Sequence, residues 1–399
     1  MKRVLIVTSG ILPVPALRGG AVEYLTQLYV DRNESKQRFE FDVATIGLKD
    51  DSRVHEKYKN TNYIVINEDT KKFKLLRLVR FAVNKIQPFY YVDNAFSHEL
   101  LKKLKRSNKK YDLIIVENNP LYIKTLRKYD KRVKIILHLH NDYLNSKSKH
   151  HRYIFDNCDK IYTVSDYIRS RACSIEENPK VSTIYNGIDV DRFDKEYTDK
   201  QRWQMREMFG LKPDDFVVLF AGRLTEGKGI LELLQAFREI SRNRDDLKLL
   251  VVGKGFIERK TTSRFERKLQ RIAEDLGDKV VFTGFIDYEK IPDIYKIADV
   301  SVTPSHWGEP LATTVIEGMA SNTRQIVTND GGIPEMVFDT DVCVIDKDNL
   351  IPELISSLNT CISDDAPKMS DNHAVAKERF DKERFIRDML DIIGEVAHE

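Results

Sequence analysis

The chain has 399 residues, 41% of them hydrophobic and 32% charged, an ordinary globular composition that is too long for one core and suits two domains. No run approaches the roughly 18 apolar residues of a membrane span. Four scattered cysteines, Cys158, Cys173, Cys343 and Cys361, contain no C-x-x-C pair, so neither a disulfide framework nor a zinc site is expected and a reducing, cytoplasmic compartment fits. The formal net charge of +3 divides along the chain, with 37 Lys+Arg against 24 Asp+Glu in residues 1–195 and 28 against 38 in the remainder; a basic half joined to an acidic half suggests that one domain faces an anionic surface, membrane lipid or nucleic acid.

The apolar run after Met1-Lys2-Arg3 is too short for a signal peptide and reads as a first buried strand, 4–7. Further strands at 41–46, 113–116, 133–139 and 160–164 alternate with helical stretches, the pattern of a parallel α/β sheet. Gly19-Gly20, in the loop after the first strand, allow close backbone approach to a diphosphate or an acceptor, or form an ordinary flexible loop. In residues 71–86, Phe73, Leu76, Val79, Val83 and Ile86 fall near one helical face flanked by cations. Both a helix lying on anionic lipid and a buried amphipathic helix with a solvated edge fit that pattern. Six more cations between 101 and 110 lean towards the membrane.

His138 and His140 share one strand face, and periodicity leaves open which of them points towards a ligand. Asp142, just beyond, either orients a histidine, bonds an acceptor or caps a turn. Asn186-Gly187-Ile188-Asp189 is a turn signal that opens a linker near 190–213. The strand pattern restarts at 216–221 and continues through 247–252, 280–282, 300–303 and 325–328. The expected division is 1–195 and 196–373, with a C-terminal helix within 374–399 packing back on the first domain. Ligands of open α/β sheets collect at the carboxyl ends of the strands, so two doubly wound domains facing across a cleft are expected.

The candidate chemistry is densest in the second half. Glu309 precedes and Glu317 lies within a helix, and the free N–H groups of that helix end suit a diphosphate. One carboxylate would then sit near a sugar and the other near a ribose. Two surface glutamates would give the same spacing, but Arg223 and Lys228, in Gly-Arg-Leu-Thr-Glu-Gly-Lys-Gly at a strand-to-helix turn, add two cations. A sugar nucleotide fits this set. Its diphosphate gains charge as the glycosidic bond breaks. Two cations and a helix end would neutralise that charge, so no metal is expected. Gly253-Lys254-Gly255 lacks the third glycine of a dinucleotide fingerprint.

The order of Gly19-Gly20-Ala21, His138 to Asp142, Asn186 to Asp189, Gly222-Arg223 with Gly227-Lys228-Gly229, Gly253-Lys254-Gly255, the two glutamates seven residues apart and Gly331-Gly332-Ile333-Pro334-Glu335 resembles the family 4 retaining glycosyltransferases of the GT-B fold. Trp307-Gly308-Glu309-Pro310-Leu311-Ala312 is similar to the variant in bacterial envelope and spore-coat glycosyltransferases. The resemblance implies a nucleotide-diphosphate sugar donor, UDP-linked with glucose or N-acetylglucosamine, a glycan or lipid-linked acceptor, and no cofactor or metal. It implies that His140 reaches the donor sugar and that Glu309 orients it without acting as a nucleophile. Retention would follow a front-face course in which the leaving phosphate helps take the acceptor proton. Gly253 and Lys254 would line the donor site and the backbone around Phe285 would hold the base. Pro310, Leu311, Ala312 and Thr313 stand where many members have Gly-Phe-Gly-Leu or Pro-Phe-Gly-Leu, and Ala312 in place of glycine would alter backbone contacts to the donor.

Two other readings use different features. A nucleic-acid-binding protein would use the basic half, which carries no recognised nucleic-acid motif. A non-catalytic partner subunit would not need Arg223, Lys228, Glu309 and Glu317 together.

Overall fold

The structure, a computed structural model, describes residues 1–47, 52–86, 95–253, 263–363 and 370–398. The chain forms two units, Met1–Gly187 with Glu383–Glu399, and Ile188–Lys382. The first unit holds a seven-stranded parallel sheet. Its strands are β1 Arg3–Val7, β2 Glu40–Gly47, β3 Thr61–Asn67, β4 Leu113–Glu117, β5 Lys134–Leu139, β6 Lys160–Thr163 and β7 Val181–Thr183. They lie in the order β3-β2-β1-β4-β5-β6-β7. The second unit has β8 Phe216–Ala221, β9 Leu247–Val252, β10 Val280–Gly284, β11 Val300–Thr303, β12 Arg324–Thr328 and β13 Cys343–Ile345, in the order β10-β9-β8-β11-β12-β13. Both sheets reverse direction of winding beside their first strand, between β1 and β4 and between β8 and β11, which is where such sheets open a crevice for ligands.

The central strands are buried on both faces, and their sequences are accordingly continuous apolar runs rather than alternations. Leu113, Ile114, Ile115 and Val116 of β4 are wholly inaccessible, as are Leu249, Leu250 and Val251 of β9. Helix Ile230–Ile240 buries Ile230, Leu233, Leu234 and Phe237 on one stripe against β8 and β9 residues, the spacing of an amphipathic helix. Three strands absent from the sequence reading, β3, β7 and β13, all lie away from the sheet centres, and each is the last strand at an edge. Their residues are short or mixed polar and apolar, as in Thr61-Asn62-Tyr63, because an edge strand has less surface to bury.

The final helix, Lys382–His398, returns to the first unit. Phe385, Ile386, Met389, Leu390, Ile393, Val396 and Ala397 join Val4, Ile6, Leu25 and Tyr29 in one core. Arg32–Glu383 and Arg38–Asp391 ion pairs border it. The boundaries differ from the expected 195/196 and 374: the first unit ends at Gly187, and helix Asn372–Phe380 belongs to the second unit. Only its successor carries the apolar face that the first core needs.

Helix Lys71–Ile86 turns its apolar residues two ways. Phe73 is buried and Leu76 half-buried, whereas Leu75, Leu78 and Val79 are exposed beside exposed Lys71, Lys72, Lys74 and Arg77. The side chains of Val83 and Ile86 lie outside the described residues. Because Phe385 is wholly buried, Phe385→Ala is expected to cost about 3 to 5 kcal/mol. Urea denaturation measures this, and an unchanged midpoint would remove the last helix from the core.

Candidate active site

In the second unit the chain leaves β8 through Gly222 and Arg223, makes a short 3-10 turn at Glu226–Lys228, and enters helix Ile230–Ile240 after Gly229. Arg223 is exposed and Lys228 half-buried. Gly253, at the end of β9, has φ +135, and a Cβ there would lie 1.9 Å from the Gly222 carbonyl oxygen. Only glycine permits these two strand ends to meet. Lys254 and Gly255 lie outside the described residues. Phe285, just past β10, is exposed.

The loop after β11 packs on this turn. His306 N–H donates to the Gly227 carbonyl at 2.9 Å. The Lys228 ammonium pairs with the buried Glu309 carboxylate, whose Oε2 also accepts from Trp307 Nε1 at 2.8 Å. Lys228 Nζ stands 5.7 Å from the Trp307 ring centroid, within cation–π range. The loop is itself held from β12: Gly308 and Glu309 N–H both donate to Asp330 Oδ2 at 2.8 Å. Asp330 is wholly buried, and Lys347 reaches its Oδ1 at 2.8 Å. A Cβ on Gly331 would lie 2.1 Å from the Glu309 carbonyl oxygen, so this contact also requires glycine.

Pro310, Leu311 and Ala312 are buried, and helix Thr313–Ala320 begins at half-buried Thr313. Ala312 caps that helix without a side-chain bond, which leaves its first N–H groups to a ligand or water. Glu317, within the helix, is buried; Tyr295 Oη donates to its Oε2 at 3.2 Å. Burial raises the Glu317 carboxyl to about 8. Without a ligand it therefore holds its proton near neutral pH.

The first unit gathers a second set at the ends of β1, β4 and β5. Gly19 and Gly20 are exposed, and Gly20 precedes helix Ala21–Lys36 as its N-cap. Glu117 ends β4 and is buried. Its Oε1 accepts from Tyr29 Oη at 2.8 Å. Its Oε2 lies 3.0 Å from His138 Nδ1 and 3.1 Å from His140 Nε2. Burial opposes a charge on Glu117, yet the two neighbouring imidazoles of His138 and His140, through their hydrogen bonds to it, hold its carboxyl well below the usual range. The two rings are 4.1 Å apart. His138 is wholly buried, and His140 keeps the small residual exposure of the pair. Asp142 is committed to Arg171 and Asn145, a turn-stabilising role.

Among the described residues Glu117, His138 and His140 are the group whose donor atoms are of metal-ligand type and lie together. Hydrogen bonds already engage both oxygens of the carboxylate. Asp-x-Asp triplets stand at 189, 339 and 346. Asp189 and Asp191 pair with Lys382 and Lys377, Asp341 accepts from Asn372 Nδ2, and Asp346 accepts from Asp348 N–H.

Two family descriptions match this chain side by side, "Glycosyltransferase Family 4" over residues 35–192 and "Glycosyl transferases group 1" over 201–378. The chain belongs to the family 4 glycosyltransferases. Spore coat protein SA of Bacillus subtilis is 29% identical over 84% of this chain and 83% of its own length. Lipopolysaccharide 1,2-N-acetylglucosaminetransferase of Salmonella typhimurium is 27% identical over 57% of each chain. The crystal structure of HepE from Anabaena, in complex with UDP and glucose, superposes with a TM-score of 0.73 at 18% identity over 99% of each chain. That likeness establishes the GT-B fold. The activity of this glycosyltransferase is transfer of a sugar from a nucleotide-sugar donor to an acceptor.

Three residues that support the site were not read from sequence: Glu117, Tyr29 and Asp330. Glu117 ends its strand directly after an apolar run and Asp330 lies two residues past the end of β12, and this position at a strand's carboxyl end is the one local signal they carry.

The Glu317 carboxyl makes stability depend on pH. Its folded value is raised above the ordinary 4.5, so its contribution is complete below about pH 4.5 and is lost as pH rises towards 8, by up to about 1.4 kcal/mol per pH unit. Glu317→Gln removes this term. The variant is expected to gain stability on the wild type steadily from pH 5 to pH 8 in thermal melts without ligand. Parallel curves for the two proteins would refute a buried, protonated Glu317.

Proposed function

We propose that this glycosyltransferase moves glucose or N-acetylglucosamine from UDP to a bacterial cell-surface polysaccharide or glycolipid, with retention of configuration and without a metal. One observation carries the reading. On either side of the β8/β11 switch point, the cationic turn ending in Lys228 meets the Glu309 loop that leads into the uncapped N-terminus of helix Thr313–Ala320. A diphosphate is the ligand that such donors fit. Arg223 and Lys228 take the charge that develops on the leaving group, and the helix end contributes fixed dipoles. Glu309 orients the sugar hydroxyls. Glu317 accepts from the ribose hydroxyls, its proton passing to solvent as the donor binds. Gly253 lines the donor site, the backbone beside Phe285 receives the base, and Pro310, Leu311 and Ala312, whose side chains are buried, leave the contacts with donor to their backbone and to Thr313. In the first unit Gly19, Gly20 and His140 serve the sugar and the acceptor. The leaving phosphate, not Glu309, takes the acceptor's proton on the front face. Support for UDP and glucose comes from the ligands of HepE, and support for N-acetylglucosamine and a surface glycan from the Salmonella relative.

The acceptor is reached at an anionic membrane. Exposed Leu75, Leu78 and Val79 among Lys71, Lys72, Lys74 and Arg77 make a surface whose apolar residues can enter the headgroup region while the cations meet lipid phosphate. Among the described residues no helix is long and apolar enough to cross a membrane.

Arg223→Ala and Lys228→Ala are each expected to lose about 2 to 4 kcal/mol of transition-state stabilisation, read as kcat/KM with UDP-glucose or UDP-N-acetylglucosamine, and wild-type turnover should survive EDTA. Turnover abolished by chelation and restored by magnesium or manganese would overturn the account of the leaving group. On phosphatidylglycerol vesicles the protein should float at low salt. Binding should fall at high salt and in a variant with Lys71, Lys72, Lys74 and Arg77 changed to Glu, since each cation near the surface contributes about 1 kcal/mol. A wild type that stays in the soluble fraction at low salt would move the acceptor into solution.

A further inference from the structure

A neutral imidazole has one N–H and one bare nitrogen, and the partner of the first decides what the second can do. Glu117 is ionised and can only accept, so the ring nitrogens that approach its Oε2, His138 Nδ1 and His140 Nε2, must both be N–H donors. Burial, then the neighbouring His138, push the His140 imidazole down to about 4 against the pull of Glu117. His140 is therefore neutral at pH 7, with its proton on Nε2. Its Nδ1 is left as an acceptor; among the described residues the hydrogen bonds of His140 run through its backbone N–H and its Nε2.

The surroundings hold that arrangement from several elements. Asn118, next to Glu117, accepts the His140 backbone N–H on its Oδ1 at 3.0 Å, and its own N–H donates to the His138 carbonyl at 2.8 Å. The ends of β4 and β5 are thus latched together. Helix Ala21–Lys36 supplies Tyr29 to Oε1 of Glu117, and on the same helix Glu23 bonds Ser9 at 2.7 Å. The last helix supplies the apolar Phe385, 6.4 Å from the His138 ring. His138 Nε2 is buried without a partner. Stability alone would favour satisfying it, so the network fits a demand at His140 better than a demand of the core.

We propose that Glu117 is a positioning residue for His140: through Oε2 it fixes the Nε2–H tautomer, so that Nδ1 faces substrate as an acceptor for a sugar hydroxyl. This rests on the reading of His140 as a sugar-contacting residue. Tyr29 anchors the carboxylate through its other oxygen, so the orientation of Glu117 does not depend on the histidines.

Glu117→Gln tests it. With Tyr29 donating to the amide oxygen, the amide N–H2 takes the place of Oε2, and His140 must become the Nδ1–H tautomer to accept from it. Nitrogen-15 NMR of histidine-labelled protein should report Nε2–H at His140 in the wild type and Nδ1–H in the variant. With UDP-glucose as donor, kcat should fall about 100-fold, while the thermal shift produced by UDP stays that of the wild type. The double variant Glu117→Gln/His140→Ala should be no slower than His140→Ala alone, because both changes remove one function. An Nδ1–H imidazole at His140 in the wild type overturns the proposal, and that spectrum needs neither substrate nor a folded variant. Wild-type kcat in Glu117→Gln, or losses that add in the double variant, also overturn it. Wild-type turnover in His140→Ala would instead defeat the reading of His140 while leaving the tautomer as described.

Discussion

A carboxylate removed from water keeps its charge only if the protein supplies donors in water's place. Four of the buried carboxylates, those at the ligand-facing edges, meet that demand differently, and the organisation of both units around these edges follows from how they do so. Glu117 receives a tyrosine hydroxyl and two imidazole N–H groups. Asp330 receives two consecutive backbone N–H groups and an ammonium. Glu309 receives an ammonium and an indole N–H. Glu317 has one tyrosine hydroxyl and no cation, and it takes a proton instead. The first two are turned inward and fix the shape of the site. The other two leave unfinished business that a ligand can complete.

These groups sit at strand ends for a topological reason. A parallel sheet covered by helices has no water on its faces, so polar groups along its strands would be stranded; only at the carboxyl edge do backbone and side chains emerge together. Beside β1/β4 and β8/β11 the loops depart in opposite directions and leave room. Close approach then becomes the constraint, and Gly253 and Gly331 answer it where any side chain would collide with backbone.

The same physics explains what could be read from the chain beforehand. Continuous apolar runs marked the central strands, because burial on both faces demands them, whereas β3 and β7 carry half-exposed polar residues, β13 is only three residues long, and all three left a weak pattern. Arg223, Lys228, Glu309 and Glu317 were visible because glycines and a helix start fix their local geometry. The proton on Glu317 was not, since it depends on Tyr295 and on burial contributed by residues distant in sequence. Glu117 and Asp330 were invisible for a related reason. Each looks like a single acidic residue after a strand, and its meaning lies in partners on other strands and helices: Tyr29, His138 and His140 for one, the Gly308–Glu309 backbone and Lys347 for the other. The boundary between units was misjudged near 374 because periodicity finds helices but not the core that each one covers.

The Lys228–Glu309 pair shows why residue type matters at the centre of the site. An ammonium offers three N–H groups in a compact, freely rotating head, and Glu309 occupies one of them. The others remain for an anionic ligand, so a phosphate oxygen can be held without first breaking the pair. A guanidinium at the same place would spread its donors in a fixed planar fork matched to one carboxylate, and satisfying Glu309 would then aim the rest of the group by geometry rather than by the ligand. Trp307 adds a second constraint, since its ring stands under the ammonium and its N–H on the same carboxylate oxygen. Lysine at 228 therefore lets one cation serve a permanent partner and a transient one, which is what a site that binds and releases a charged leaving group requires.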